Sequence, residues 1–238
     1  MPTFSQNCRR IIKMMSLEKQ PILSKINLSL ALIWLFHVSG ALGIIYGNAD
    51  WFVKATPLNL LLCFGLLLLN TQLHLKAILV LFVCYGVGLV AEIVGVQYGF
   101  LFGSYRYGAT LGIQWLEVPV LIGVNWCLLV SICATIAATF SNNVWQRALL
   151  GTFLMLFLDL LIEPVAPALD FWVFEEGIAG LHNYLGWALV AFPLQLLYAK
   201  SNLKTEPKFA FHLYLLQSIF FILLMIRIYT LQEASFLK

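Results

Sequence analysis

Glu92, Asp159 and Glu163 lie inside long apolar stretches, and no Lys or Arg shares the middle of those stretches. An Asp near the centre of a membrane helix costs roughly 2.5–3.5 kcal/mol on insertion scales, so such residues are rare without a purpose. Burial disfavours the charged form of a carboxyl group, and a second carboxyl nearby disfavours it further. The chemistry this points to is a neutral carboxylic acid that hands a proton to a lipid-soluble substrate. Asp159 and Glu163 stand at i and i+4, on one face of a helix. Pro164 and Pro167 follow, ending or disturbing that helix and freeing backbone groups at membrane depth. Around Glu92, the residues Tyr85, Gly88, Gly95 and Gly99 recur at helical spacing and make a face with a small-residue cleft.

The elements that must position these acids are membrane helices. A mean hydropathy of +0.90, with 61% hydrophobic and 11% charged residues, places the chain in the integral-membrane class. A spanning helix needs about 20 mostly apolar residues. Seven segments qualify, near 27–46, 56–73, 76–97, 118–140, 147–169, 181–200 and 209–229. The expected fold is all-α: a polytopic bundle over 27–229, preceded by a basic segment (1–26) and followed by a short tail (230–238). The first apolar segment is too long for a signal-peptide core and lacks a clear small-residue cleavage site, so it reads as a retained helix.

Basic residues favour the cytoplasmic side. With the N-terminus inside, ten basic residues fall inside: Arg9, Arg10, Lys13, Lys19, Lys25, Lys76, Arg147, Lys200, Lys204 and Lys208. Four fall outside: Lys54, Arg106, Arg227 and Lys238. This orientation brings Glu92, the Asp159/Glu163 pair and the start of the sixth span, His182-Asn183-Tyr184-Leu185-Gly186-Trp187, to the outer end of the bundle.

The linker 98–117 is too aromatic for a solvated loop, and its glycines at 99, 103, 108 and 112 permit sharp turns. It reads as an interfacial or re-entrant segment folded over the outer end, with an ordinary aromatic belt as the alternative for Tyr98 and Trp115. Other readings stay open. Glu92 could be a bundle-facing acid satisfied by a Tyr, an Asn or a backbone group. Asn183 could cap the sixth helix or hold a water or carboxyl. His37 and His74 read as packing or interface residues, His182 as an interface residue, and Glu175 and Glu176 as a solvated loop face. A loose internal echo relates Glu92, Tyr105-x-Tyr107 and Trp126 to Glu163, Trp172-x-Phe174 and Trp187. No Cys/His spacing suits a metal, and Cys63, Cys84, Cys127 and Cys133 sit in apolar helices as small packing residues. The net charge of +3 comes mostly from membrane-flanking residues and does not argue for nucleic acid.

Taken in order, these pieces resemble the CruF-type membrane carotenoid-biosynthesis family, which includes carotenoid 1′,2′-hydratases and the bisanhydrobacterioruberin hydratase. The similar residues are Glu92-x-x-Gly95, then Gly99-Phe100-x-Phe102-Gly103-x-Tyr105-x-Tyr107, Val118-Pro119 and Asn125-Trp126. They continue with Asp159-x-x-x-Glu163-Pro164 and Gly180-x-x-Asn183-x-x-Gly186-Trp187, and the whole spans roughly 30–200. The family usually has Trp-Asp and then Asp-Pro, whereas here Leu158 precedes Asp159 and Glu163 precedes Pro164.

The resemblance implies hydration of the terminal C1′–C2′ double bond of an acyclic carotenoid end, of the lycopene or γ-carotene type, to a tertiary alcohol. It implies a bacterial inner-membrane enzyme with a lipid-soluble carotenoid substrate, surrounded by membrane lipid and associated with other enzymes of the pathway. The residues suit that chemistry. Protonating a trisubstituted alkene takes a dry acid, and capturing the tertiary cation takes a base that orients water. Asp159 and Glu163 are the expected acid/base pair and Glu92 the third carboxyl. Phe102, Tyr105, Tyr107, Trp126, Asn183 and Trp187 are the expected substrate-binding residues, since electron-rich rings stabilise a passing cation. Neither a metal nor an organic cofactor is required.

The nearest rival is a membrane carotenoid cyclase, which closes a ring onto the same cation. A UbiA-type prenyltransferase would need paired Asp-rich motifs for Mg²⁺, and only one D-x-x-x-E is present. A retinal protein would need a Lys in the last helix, and 209–226 has none. A transporter or proton relay is the non-enzymatic alternative.

Overall fold

The computed structural model describes residues 24–236, so most of the basic N-terminal segment lies outside the described residues. The chain runs α1 (Lys25–Tyr46), a short α2 (Ala49–Lys54), α3 (Thr56–Leu69) and α4 (Leu75–Tyr98). A linker follows with β1 (Tyr105–Tyr107), β2 (Gln114–Trp115) and β3 (Val118–Pro119), then α5 (Leu121–Phe140) and α6 (Val144–Ile162). A 3-10 turn (Ala166–Leu169) and β4 (Trp172–Phe174) lead to α7 (Leu181–Ser201) and α8 (Pro207–Phe236).

Local chemistry sets the helix boundaries. Ser24, His74 and Asn143 precede α1, α4 and α6, and the side chain of each accepts a hydrogen bond from a first-turn amide. Gly99 stops α4 in the left-handed conformation (φ 70°), its N–H donating to the Gly95 carbonyl. Pro164 cannot continue α6, which ends at Ile162 before the chain tightens into the 3-10 turn.

Among the described residues, five helices are long and apolar enough to cross a membrane: α1, α4, α5, α6 and the Pro207–Thr230 part of α8. The other two apolar segments also form helices, with differences. α3 has 14 residues, about 21 Å at 1.5 Å per residue against a hydrocarbon core of about 30 Å. It stops where Asn70 turns its amide onto the Leu66 carbonyl and Ser29. α7 has 21 residues but is less apolar, because Asn183 and Gln195 are buried within it.

α5 is the centre of the bundle, with buried residues on nearly every side, and α3, α4, α6, α7 and α8 pack around it. Its Ser131 and Thr135 hydroxyls return to backbone carbonyls one turn back, so they cost little inside the core. Large apolar side chains stay exposed on the outer helices, among them Leu35, Phe82, Leu149 and Phe153. Exposed apolar surface on this scale is what a lipid-facing bundle presents, and the molecule is consistent with an integral membrane protein.

The linker 98–117 divides in two. Tyr98 and Trp115 remain exposed, as belt residues would, while Phe102 and Tyr105 are buried over the end of the bundle. β1 pairs antiparallel with β4, Tyr105 opposite Phe174 and Tyr107 opposite Trp172. The Asp170 carboxylate clamps the same region by accepting from the Ala109 and Thr110 amides at 2.8 and 3.1 Å.

Candidate active site

The C-terminal ends of α4 and α6 and the N-terminal ends of α5 and α7 meet at one end of the bundle, under the β1–β4 ribbon. Glycines let them approach. The Gly88 Cα faces the Trp126 ring, and Gly186 lies against the Leu101 carbonyl and Phe102.

Glu92 is buried on α4 and accepts three hydrogen bonds. Tyr105 Oη donates to Oε2 at 2.6 Å and Tyr107 Oη to the same oxygen at 2.8 Å, while Trp126 Nε1 donates to Oε1 at 2.9 Å. Burial, followed by the neighbouring Glu92 carboxyl, pushes both phenols well above the usual tyrosine range, so both remain donors. Glu92 is thus a bundle-facing acid satisfied by tyrosines, as one of the two readings of the sequence has it, and its partners all line one cavity.

Across that cavity, Asn183 joins the other two carboxyls. Its Nδ2 donates to Asp159 Oδ2 at 3.0 Å and to Glu163 Oε1 at 3.2 Å. Asn183 is thus no helix cap; Gly180 holds that position in α7. Glu163 Oε2 accepts from Trp172 Nε1 at 3.1 Å. Asp159 is only 1% exposed, and among the described residues its Oδ1 has no hydrogen-bond partner. A buried carboxylate oxygen without a donor is costly, whereas a carboxylic acid brings its own hydrogen.

The space between these groups is about 20 Å³, and Glu92, Tyr105, Tyr107, Trp126, Glu163 and Asn183 are among its walls. That is room for about one water molecule. Phe102 and Trp187 complete the aromatic wall, with Trp126 and Trp187 stacked at 4.3 Å between ring centroids. Asp159 stands one hydrogen bond behind this surface, through Asn183.

All nine residues singled out from the sequence therefore come together. Two others belong beside them. Trp172 binds Glu163 and packs edge-on against Tyr107. Asn125 lines the cavity and has no hydrogen-bond partner among the described residues. Trp172 was visible only within the internal echo, and Asn125 only as the neighbour of Trp126. The remaining polar candidates lie elsewhere. His74 caps α4, His37 bonds the Ile33 carbonyl at 2.8 Å, and His182, Glu175 and Glu176 are exposed. Among the described residues, no cluster of three His, Cys, Asp or Glu side chains could hold a metal ion.

A family model described as carotenoid biosynthesis protein matches residues 54–237, a stretch that includes all of these groups. No curated protein and no solved structure matches the chain.

Proposed function

Because the chain belongs to the carotenoid biosynthesis protein family, we propose that it adds water across the terminal C1′–C2′ double bond of an open-chain carotenoid end. One observation carries this reading: Glu92 and Glu163 border a single small, aromatic-walled space, and one amide ties Glu163 to Asp159 just behind it. The family supports a role in carotenoid biosynthesis, hence a lipid-soluble carotenoid substrate, and the hydration step is the chemistry that the site's groups suit.

In this mechanism Asp159 and Glu163 hold one proton between them. Glu163 faces the cavity and delivers the proton to C2′, using the alkene π electrons to form the new C–H bond. The tertiary cation left at C1′ is stabilised by the aromatic wall that Trp126, Trp172 and Trp187 form. Glu92, fixed by three donors, supplies a counter-charge opposite. A water held by the Asn125 amide bonds to C1′, and its surplus proton returns to Glu163. Proton and water balance without any cofactor. The protein lies in the bacterial inner membrane with seven crossings, its N-terminus inside and this site towards the outer face.

Expression in a host that accumulates lycopene or γ-carotene, with pigments analysed by mass spectrometry, tests the reading. The expected product is heavier by one water. It should fall by about two orders of magnitude or more in Asp159→Asn and Glu163→Gln, the range of general acid–base catalysis. An isomeric ringed product from the parent protein would establish a cyclase instead.

A further inference from the structure

The space beside the carboxyl groups has room for about one water molecule, so the carbon chain needs a seat of its own. A second cavity of about 110 Å³ adjoins the first, sharing Ile122, Asn125 and Trp172 as its border. It lies among α1, α3, α5 and α8, with Leu60, Leu129, Phe220 and Phe221 among its apolar walls and His37 and Asn59 among its polar ones. Gln217, also in its lining, has a buried Oε1 with no hydrogen-bond partner among the described residues.

We infer that this cavity is the seat of the carotenoid's reacting end, and that Leu60, Leu129 and Phe221 set the bulk it accepts. The inference rests on the reading of the neighbouring carboxyl cluster as the reacting centre. Three observations carry it. The cavity adjoins the carboxyl-lined space, and Ile122, Asn125 and Trp172 line both. The lining suits hydrocarbon. The size also decides: an apolar cavity of about 150 Å³ accommodates a benzene ring, so one of about 110 Å³ fits a narrow branched isoprenoid end and not a trimethylcyclohexenyl ring. The unsatisfied Gln217 oxygen is then placed to accept the hydroxyl of the alcohol once it forms.

The test measures pigment retained by purified protein, a readout independent of turnover. In the Asp159→Asn background the protein should copurify with an open-ended carotenoid. Adding Leu60→Trp, which projects an indole into the cavity from α3, should reduce retained pigment at least fivefold. Ala138→Trp, which fills a separate cavity at the opposite end of the bundle, should leave retention unchanged. In a host whose carotenoids end in rings at both termini, the Asp159→Asn protein should retain little. Adding Phe221→Ala should raise that retention several-fold, so the inference does not depend on whether the Leu60→Trp protein folds. Full retention of open-ended pigment with a folded Leu60→Trp, or equal retention of ringed pigment with and without Phe221→Ala, would overturn it. A parent protein that adds no water, but whose retention follows these substitutions, would sink the hydration reading and leave the binding seat standing.

Discussion

Asn125 and Asp159 hold the two atoms on which the acid–base reading turns. Among the described residues, Asp159 Oδ1 has no donor and the Asn125 amide, in the lining of both cavities, has no hydrogen-bond partner. A half-buried amide in an apolar helix with nothing to bind costs stability that Leu would avoid, so its presence suggests a ligand, and water is the ligand the reaction needs. Asn125→Leu then makes a specific prediction. The cation still forms, because the acid is intact, but water capture falls and the cation returns a neighbouring C–H proton to Glu163. The alcohol should decrease about tenfold or more, and a double-bond isomer with the mass of the substrate should appear by chromatography. Loss of both products together would show that Asn125 supports the fold and not the water.

At the scale of elements, two helix pairs and one ribbon set the geometry, and their small residues are the tightest constraint. A Cβ on Gly95 would stand 2.5 Å from Phe102 Cδ2 and 2.9 Å from Tyr105 Oη. Gly95→Ala should therefore push both rings off Glu92, at a cost of about 1–3 kcal/mol typical of overpacking. Product formation should fall sharply while the protein still inserts and keeps its helical circular dichroism; an unchanged yield would show that the Tyr105–Glu92 bond is dispensable. The acids were legible in the sequence because a carboxyl in an apolar run stands out, and their common end followed from the count of basic residues. The ribbon was not. Strands of three residues, Tyr105–Tyr107 and Trp172–Phe174, carry no periodicity, and their partners are more than sixty residues apart. The length of α3 was also hidden, since Thr71 and Leu73 continue a run of tolerable hydropathy past the point where Asn70 ends the helix.

For the molecule as a whole, the internal echo acquires a geometric counterpart. The echoed segments Tyr105-x-Tyr107 and Trp172-x-Phe174 pair with each other antiparallel, and the echoed tryptophans 126 and 187 stack. Glu92 and Glu163 each accept from an aromatic donor of the ribbon, Tyr107 and Trp172. An approximate twofold passing between the ribbon strands and relating α4–β1–α5 to α6–β4–α7 would produce this pairing and this stack. Each unit is a helical hairpin of the same sense, so such an axis would run along the membrane normal, as in parallel repeats of other membrane proteins. A parallel repeat requires both ribbon-bearing loops to share one face of the membrane, and the orientation expected from the basic-residue count makes that face the outer one. Ile113 and Glu176 are exposed in those two loops, while Asn142 and Lys204 are exposed at the opposite end. Cysteines placed singly at these four sites in a Cys8→Ser chain can be probed with a membrane-impermeant maleimide; Cys63, Cys84, Cys127 and Cys133 are buried and should add little background. Ile113→Cys and Glu176→Cys should label in intact cells, and Asn142→Cys and Lys204→Cys only after permeabilisation. The reverse pattern would turn the protein over in the membrane and move the reaction to the inner face. Labelling of Ile113→Cys and Glu176→Cys from opposite sides would break the parallel repeat, and with it the assembly of Glu92 and Glu163 at one end.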